Sequence, residues 1–147
     1  MRYYACRIGR LELVKGDRML LPITALFAGI LGIMAIVLGA GSGFIRARTG
    51  VSLGADSNNE EQLVAFRRHG NFIEWAPLFL ILLGVLELNG SSTTVLYSLG
   101  GVFVVARILH PLGLNTDNAG GATRALGAAG SALTVAVASV MAIISSL

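Results

Sequence analysis

The sequence predicts an all-α integral membrane protein, a bundle of four transmembrane helices, and three observations predict it. Hydrophobic residues make up 54% of the chain and charged residues only 13%, which is too apolar for a soluble domain of 147 residues. Two segments without any charged side chain exceed the roughly 20 residues that a helix needs to cross a bilayer. Two further apolar segments lie between them, joined by a turn-like Asn-Gly-Ser-Ser sequence at residues 89–92.

The first predicted span covers residues 21–45. Gly39 and Gly43 lie four residues apart in it, a spacing that lets another helix approach closely in lipid, although such pairs also arise by chance in glycine-rich spans. Residues 1–20 precede the span and carry five of the eleven basic residues. This basic segment and the span are too long for a signal peptide. We therefore interpret the span as a retained helix, and residues 1–20 as an N-terminal extension to a membrane domain of residues 21–147.

The second and third spans, at residues 72–88 and 93–109, are predicted to form an antiparallel helical hairpin. The fourth span, at residues 125–147, is rich in small residues. Three of its alanines recur at helical spacing and are predicted to pack against neighbouring helices: Ala128, Ala132 and Ala136. The segments 49–61 and 113–123 are polar and contain glycine, which predicts loops outside the membrane.

Charge and cysteine content restrict the function and the orientation. The net charge is +3, but the basic residues are scattered among apolar segments with few aromatic residues, which argues against nucleic-acid binding. Cys6 is the only cysteine, so the chain forms no intramolecular disulfide and no cysteine cluster for a metal. The side that holds the two long loops has six arginines near the spans, against five basic residues in the N-terminal segment. This difference favours cytoplasmic loops only narrowly.

Polar residues in the second span suggest a functional site. Charged side chains in a span cost a few kcal/mol each on insertion, so they normally face the interior of a bundle and mark function. Arg67, Asn71 and Glu74 follow one another at i, i+4 and i+7, so one face of the helix presents a guanidinium, an amide and a carboxylate together. Pro77 cannot donate a backbone hydrogen bond to the carbonyl of Ile73, which leaves a kink or a free acceptor beside Glu74.

Further polar residues of the other spans lie near the same membrane boundary. Arg107 and His110 lie at i and i+3 on the third span, and Arg124 begins the fourth. These groups together define a candidate site at one face of the membrane.

Each of these residues also has a purely structural interpretation. Arg46, Arg48, Arg67 and Arg68 are candidates for interfacial arginines that extend to lipid headgroups, and for Arg48 and Arg68 we favour this interpretation. His110, before a proline, is a candidate for a helix-end residue stabilised by the helix dipole.

Glu74 is a candidate for a structural ion pair with Arg107 or Arg67. His69 and His110 are two histidines without an ordered carboxylate spacing, so we predict no metal site.

The sequence of residues 67–77, Arg-Arg-His-Gly-Asn-Phe-Ile-Glu-Trp-Ala-Pro, resembles the signature of the MAPEG family, the membrane-associated proteins in eicosanoid and glutathione metabolism. In that signature an Arg, an Asn and a Glu on the second helix are followed by Pro. Arg107 and His110 resemble the Arg and His that family members carry at the end of the third helix, and Arg124 resembles the Arg that opens the fourth. The resemblance covers residues 21–147 and indicates a bacterial member.

This resemblance implies a homotrimer in the inner membrane. Glutathione, as co-substrate, would bind between neighbouring protomers near the cytoplasmic face and react with a lipophilic electrophile or hydroperoxide, in a transferase or peroxidase reaction. The residues implied in glutathione binding are Arg46, Arg67, Asn71, Glu74, Arg107 and His110, with Glu74 suited to the ammonium group. Arg124 would be the catalytic residue, because a nearby guanidinium lowers the pKa of a thiol and the thiolate is the nucleophile.

Two departures from the family pattern leave alternatives open. Catalytic eukaryotic members often carry a tyrosine where this chain has Leu114, and some carry a serine where it has Ala125. Thiol activation would therefore depend on Arg124 alone. A non-catalytic lipid-binding or accessory membrane protein of the same fold is the second hypothesis. A channel or transporter is disfavoured, because the polar residues cluster at one boundary.

Overall fold

The computed structural model describes residues 20–50, 59–116 and 121–147, which form a bundle of four long α-helices. Each helix is long and apolar enough to cross a membrane, which confirms the predicted all-α, four-span fold. The N-terminal extension falls almost entirely outside the described residues and stays a prediction. The helices are α1 (Pro22–Thr49), α2 (Glu60–Leu88), α3 (Thr93–Gly113) and α4 (Ala122–Ser145).

The helices pack as two antiparallel pairs. α3 lies along α4, α1 lies along α2, and α2 also contacts both α3 and α4. Within the described part of the chain α1 and α4 do not meet. The rings of Phe79 on α2 and Phe103 on α3 stack with their centres 4.0 Å apart in the core. The two pairs are therefore joined by α2, which contacts both helices of the other pair, and by a further contact between α1 and α3.

Two glycines bring α3 and α4 into backbone contact near the candidate site. A Cβ atom on Gly113 would clash with the backbone of Arg124, and a Cβ on Gly127 would lie 2.5 Å from the backbone nitrogen of His110. Because the obstructing atoms belong to the backbone, no side-chain rotation could relieve either clash. The end of α3 and the start of α4 therefore touch only because both positions lack a side chain.

The start of α1 is stabilised by a carboxylate from α2. The first turn begins with Pro22 and has no side-chain cap of its own. Glu87 supplies the acceptors instead: its Oε1 accepts from the backbone N–H of Ile23 at 2.9 Å and its Oε2 from that of Thr24 at 2.7 Å. A carboxylate at a helix N-terminus both satisfies free N–H groups and complements the helix dipole. The sequence pattern alone assigns Glu87 no such role.

α2 begins at Glu60, earlier than the predicted residue 72, so the predicted loop 49–61 is helical at both ends. The side chain of Asn59 accepts from the backbone N–H of Gln62 at 3.0 Å, and Glu60 and Glu61 lie in the first turn, where acidic residues are stabilising. The search for apolar spans missed these turns because they are polar. They lie beside the end of α1, where the exposed Arg48 pairs with Glu61.

The helix ends and the packing of the small residues also differ from expectation. α3 continues through Pro111 to Gly113 instead of ending at residue 109, and α4 begins at Ala122 inside the predicted loop 113–123. Ala128 is half-buried and Ala132 and Ala136 are exposed in the single chain, so α4 packs within its own bundle mainly through other residues. Of the glycine pair in α1, Gly39 lies against His69, whereas Gly43 faces open space. The buried residues of α4 are Gly127, Ser131, Thr134, Val135 and Ala138.

Candidate functional site

A polar cleft of about 390 Å³ opens between α2, the end of α3 and the start of α4. It contains five of the predicted site residues: Arg67, Asn71, Glu74, His110 and Arg124. The stripe predicted on α2 therefore faces the predicted residues of α3 and α4. The lining also includes Leu114, where the resemblance implies a tyrosine in catalytic members, and two residues to which the sequence pattern assigns no role in the site: Phe66 and Gly70.

Arg107 lies behind the cleft, not in it. It is 1% exposed, and its guanidinium donates to three residues on two other helices, α2 and α4. Nε donates to the hydroxyl of Ser131 at 2.7 Å, one terminal nitrogen donates to Oδ1 of Asn71 at 2.9 Å, and the other donates to the carbonyl of Gly127 at 3.4 Å. The guanidinium also lies 5.6 Å from the ring centre of Phe103, within the range of a cation–π contact. Arg107 therefore ties α2, α3 and α4 together beneath the site.

Ser131 was not among the predicted site residues, although its spacing from Arg124 places both on one face of α4. It is fully buried, accepts from Arg107, and donates to the carbonyl of Gly127 at 2.8 Å. Arg124, Gly127 and Ser131 lie at i, i+3 and i+7, a spacing that places them on one helix face, as the spacing i, i+4 and i+7 does for the polar residues of α2. The polar and small residues at this spacing, and not the alanines, mark the face of α4 that is buried in the chain.

Glu74 and Arg124 lie in the cleft with free polar atoms. Glu74 is exposed, and neither a hydrogen bond nor an ion pair joins it to any other residue in the described ranges. The alternative of a structural pair with Arg107 or Arg67 is therefore not observed in the single chain. Nε of Arg124 is buried and has no hydrogen-bond partner among the described residues. Because Nε is closed off from solvent, an acceptor bound in the cleft would meet the terminal nitrogens of this guanidinium, which also make no hydrogen bond within the described residues.

His110 is 5% exposed and lines the cleft through its remaining surface. It lies one helical turn after Arg107 and packs against Gly127. The cleft lining has two positive charges, on Arg67 and Arg124, and one negative charge, on Glu74. Its formal charge is therefore positive even when His110 is neutral. The site therefore favours a ligand with more anionic than cationic groups, of which one cationic group can pair with Glu74.

Arg46 does not join the cleft of its own chain. It is exposed in the last turn of α1, a helix that contributes no residue to the lining. At about 1.5 Å per residue, the 28 residues of α1 extend roughly 42 Å, which exceeds the roughly 30 Å of the hydrocarbon core. Arg46 thus lies at the membrane boundary or beyond it.

Arg68 binds the end of α3. Its Nε donates to the carbonyl of Leu114 at 3.0 Å, and a terminal nitrogen donates to Oδ1 of Asn115 at 3.1 Å. This contact corrects the lipid-facing role favoured for Arg68, because a sequence cannot show which backbone carbonyl lies within reach of an arginine. Leu114 lines the cleft, so Arg68 fixes the backbone of one of its walls.

The two histidines lie apart. His69 packs against Gly39 on α1, whereas His110 lies in the cleft. Over the described ranges, no three His, Cys, Asp or Glu side chains cluster in a way that could hold a metal ion.

A second, wholly apolar groove of about 220 Å³ lies between α1 and α3. Its lining includes Ile33 and Val37 on α1, and Ile108 and Leu112 on α3. It lies on the same segment of α3 as His110, but on residues that do not line the polar cleft.

Comparison with known proteins agrees with this architecture. The sequence profile of the MAPEG family matches residues 24–144, which include most of all four helices. Inner membrane protein YecN of Escherichia coli strain K12 is 32% identical over 60 residues, and so is its counterpart in strain O6:H1 (CFT073). The matched segment spans 41% of this chain and 46% of each relative, so the chain matches less than half of their length. No solved structure gives a significant match.

Proposed function

Because the chain belongs to the MAPEG family, we propose that it is a membrane-bound, glutathione-dependent transferase or peroxidase that acts on lipophilic electrophiles or hydroperoxides. The observation that carries this proposal is the guanidinium of Arg124, a cationic donor that lines the cleft and makes no hydrogen bond or ion pair within the described residues. A thiolate held there would supply the missing acceptor. Its charge would be stabilised by the guanidinium, which lowers the pKa of the thiol.

The rest of the cleft is complementary to glutathione. Glutathione carries an ammonium group, two carboxylates and the thiol. Glu74, exposed and unpaired in the described structure, suits the ammonium group, while Arg67 is a cationic donor in reach of the cleft for a carboxylate. Asn71 adds a neutral polar contact. The excess of positive charge in the lining matches the excess of negative charge on the ligand.

The proposed chemistry begins with loss of the thiol proton to water at the open side of the cleft. In the transferase reaction the thiolate sulfur attacks an electrophilic carbon, so a C–S bond forms and the leaving group departs with its electron pair. In the peroxidase reaction the sulfur attacks the terminal oxygen of a hydroperoxide and the O–O bond breaks. A second glutathione then gives the disulfide, so one hydroperoxide and two glutathiones yield one alcohol, one disulfide and one water.

A homotrimer would explain how Arg46 could take part in the site. This residue is exposed on α1, away from the cleft of its own chain, so only a neighbouring protomer could bring such a group to the open side of the site. The four spans and the likeness to an inner membrane protein support a bacterial inner-membrane location. We further propose that the cleft faces the cytoplasm, the compartment that contains reduced low-molecular-weight thiols.

A non-catalytic lipid-binding or accessory protein is the second candidate. The observations that favour it are the apolar groove between α1 and α3, and the aliphatic Leu114 in the cleft wall where a tyrosine hydroxyl is often found in catalytic relatives. Such a protein would bind lipid and leave glutathione unreacted.

Thiolate formation tests the proposal directly. Glutathione is added to the purified protein in detergent, and the ultraviolet difference spectrum of the thiolate is recorded for the wild type, Arg124→Ala and Arg124→Lys. We expect a signal in the wild type, a weaker one in Arg124→Lys and none in Arg124→Ala. Arg48→Ala, which removes an exposed arginine outside the cleft, serves as the control and should keep the full signal. Absence of a thiolate in the wild type would contradict the enzyme proposal and favour the lipid-binding alternative.

A further inference from the structure

The hydrogen bond between Arg107 and Asn71 determines which end of the Asn71 amide faces the cleft. A guanidinium carries five N–H donors and no acceptor. The group of Asn71 that lies 2.9 Å from Arg107 must therefore be the oxygen, because the amide nitrogen would set donor against donor. The same arginine nitrogen also lies 3.4 Å from the backbone carbonyl of Asn71, which leaves no position for the Asn71 NH₂ group on that side.

The Nδ2 group of Asn71 therefore faces the cleft. Asn71 is partly exposed and lines the cleft, while Arg107 on its other side is 1% exposed. Across the described residues, Nδ2 makes no hydrogen bond, and it is not a buried atom without a partner. Two N–H donors of Asn71 are thus directed to the space where a ligand would bind.

We propose that Arg107 is a positioning residue that locks the Asn71 amide as a donor, so that Asn71 recognises an acceptor oxygen of the bound ligand. This inference rests on the proposed function and refines it: a carboxylate or peptide carbonyl oxygen of glutathione lies at Asn71, and its ammonium group does not. It also changes the expected role of Arg107, which acts on the ligand through Asn71 because it does not line the cleft.

Because the hydrogen bond from Arg107 fixes the orientation of the Asn71 amide, the positions of the hydrogen-bond donors in the cleft are also fixed. Among the described lining residues, Arg67, Arg124 and Asn71 present only donors to the ligand, and Glu74 is the one carboxylate. An asparagine free to rotate could accept from an ammonium group as readily as it donates to a carboxylate. With its orientation fixed, Asn71 leaves Glu74 as the only anionic position for the ligand's cation, which sets the direction in which a zwitterionic peptide binds.

The first test needs no ligand. The Asn71 side-chain amide is observed by NMR in protein with ¹⁵N-labelled asparagine, and its signal is identified by its loss in Asn71→Asp. We expect exchange of its protons with water, and a changed shift in Arg107→Lys, which cannot present the same planar fork. Ser131→Ala, which removes a different hydrogen bond of the same guanidinium, is the control and should shift this signal far less. A signal that is insensitive to Arg107→Lys would overturn the proposal.

The second test is a double-mutant cycle with glutathione as the probe. Asn71→Asp keeps an oxygen toward Arg107 but presents no donor to the ligand, so we expect glutathione binding to weaken by about tenfold. Arg107→Lys should weaken binding in the wild-type background but change it by less than about twofold when Asn71→Asp is already present. If the fold losses in glutathione binding caused by Arg107→Lys and Asn71→Asp simply multiplied in the double mutant, the positioning role would be contradicted.

The outcomes separate this inference from the proposed function. If the wild type fails to bind glutathione, the proposed function fails, while the ligand-free spectrum still decides how the amide is oriented. If Arg107→Lys fails to fold, the wild type alone suffices. Glutathione should then shift the Asn71 amide signal and slow its exchange with water, and binding without such a shift would overturn the proposal.

Discussion

Gly113 at the end of α3 lies against the backbone of Arg124 at the start of α4, so closely that there is no space for a Cβ atom. The position of the proposed catalytic arginine is therefore set by a glycine on another helix. Arg124 does not depend on side-chain packing for its place in the cleft. Its place depends on the approach of two backbones, which any larger residue at position 113 would prevent.

Replacing Gly113 should disturb the site more than the rest of the fold. We expect Gly113→Ala to destabilise the protein by about 1–3 kcal/mol, because the added methyl meets backbone that cannot rotate away. The thiolate signal with glutathione should fall as Arg124 is displaced. A methyl group on Gly101 of the same helix would meet nothing beyond the backbone of its own helix within 4 Å, so Gly101→Ala is the matched control. It should leave the thermal unfolding midpoint unchanged or raise it, since alanine favours helix over glycine by about 1 kcal/mol.

The carboxylate of Glu87 should stabilise α1 without affecting the ligand. Glu87→Gln removes the charge and one of the two acceptors that hold the N–H groups of Ile23 and Thr24, so we expect a loss of about 1–2 kcal/mol of stability. Thermal unfolding in detergent measures it. Glu61→Gln breaks an exposed ion pair, which is typically worth less than about 1 kcal/mol, and is the control. Equal effects of the two substitutions would show that the cap contributes little.

Arg68 should influence the cleft although it does not line it. Arg68→Ala removes the hydrogen bonds to Leu114 and Asn115, so the wall formed by Leu114 loses its anchor. We expect glutathione binding, measured by calorimetry, to weaken by roughly fivefold, equivalent to about 1 kcal/mol for partly exposed bonds. Arg68→Lys should recover only part of this loss, because one ammonium cannot reproduce the two-nitrogen contact. Unchanged binding in Arg68→Ala would return Arg68 to a role at the lipid headgroups.

Glu74 should recognise the ammonium group of glutathione. We expect Glu74→Gln to raise the dissociation constant by about tenfold, the effect of losing a charge-assisted hydrogen bond of about 1.4 kcal/mol. The matching change on the ligand is N-acetylation, which removes the ammonium charge. N-acetylglutathione should bind the wild type and Glu74→Gln equally weakly. Tight binding of the acetylated ligand by the wild type would rule out this role for Glu74.

The four spans were largely predictable because a continuous apolar segment of sufficient length identifies a transmembrane helix without any knowledge of tertiary contacts. Charge-free segments identified the first and fourth spans, and the turn at residues 89–92 separated the second from the third. The ends of the helices were less predictable. The first turns of α2 are polar, so they carry no membrane signal, and Asn59 and the following glutamates act as a cap that an apolar window cannot detect.

The cleft was predicted in outline because spacing of i, i+4 and i+7 fixes which residues share a helix face. Arg67, Asn71 and Glu74 therefore line one surface, as expected. Contacts between helices were not accessible in this way. Arg107 donates to the hydroxyl of Ser131, and Arg68 donates to the carbonyl of Leu114. Both contacts depend on the distance and rotation between helices, which the sequence does not give.

The cleft begins where α3 ends and α4 starts, at one end of the membrane-spanning bundle, while the groove on the same segment of α3 is lined only by apolar residues of α1 and α3. A water-soluble thiol and a membrane-dissolved partner would therefore arrive from different phases. The quantity that governs occupancy by the apolar partner is then its mole fraction in the bilayer, not its amount per volume of solution. Diluting the protein's membrane with inert lipid would slow the reaction even when every aqueous concentration is held constant.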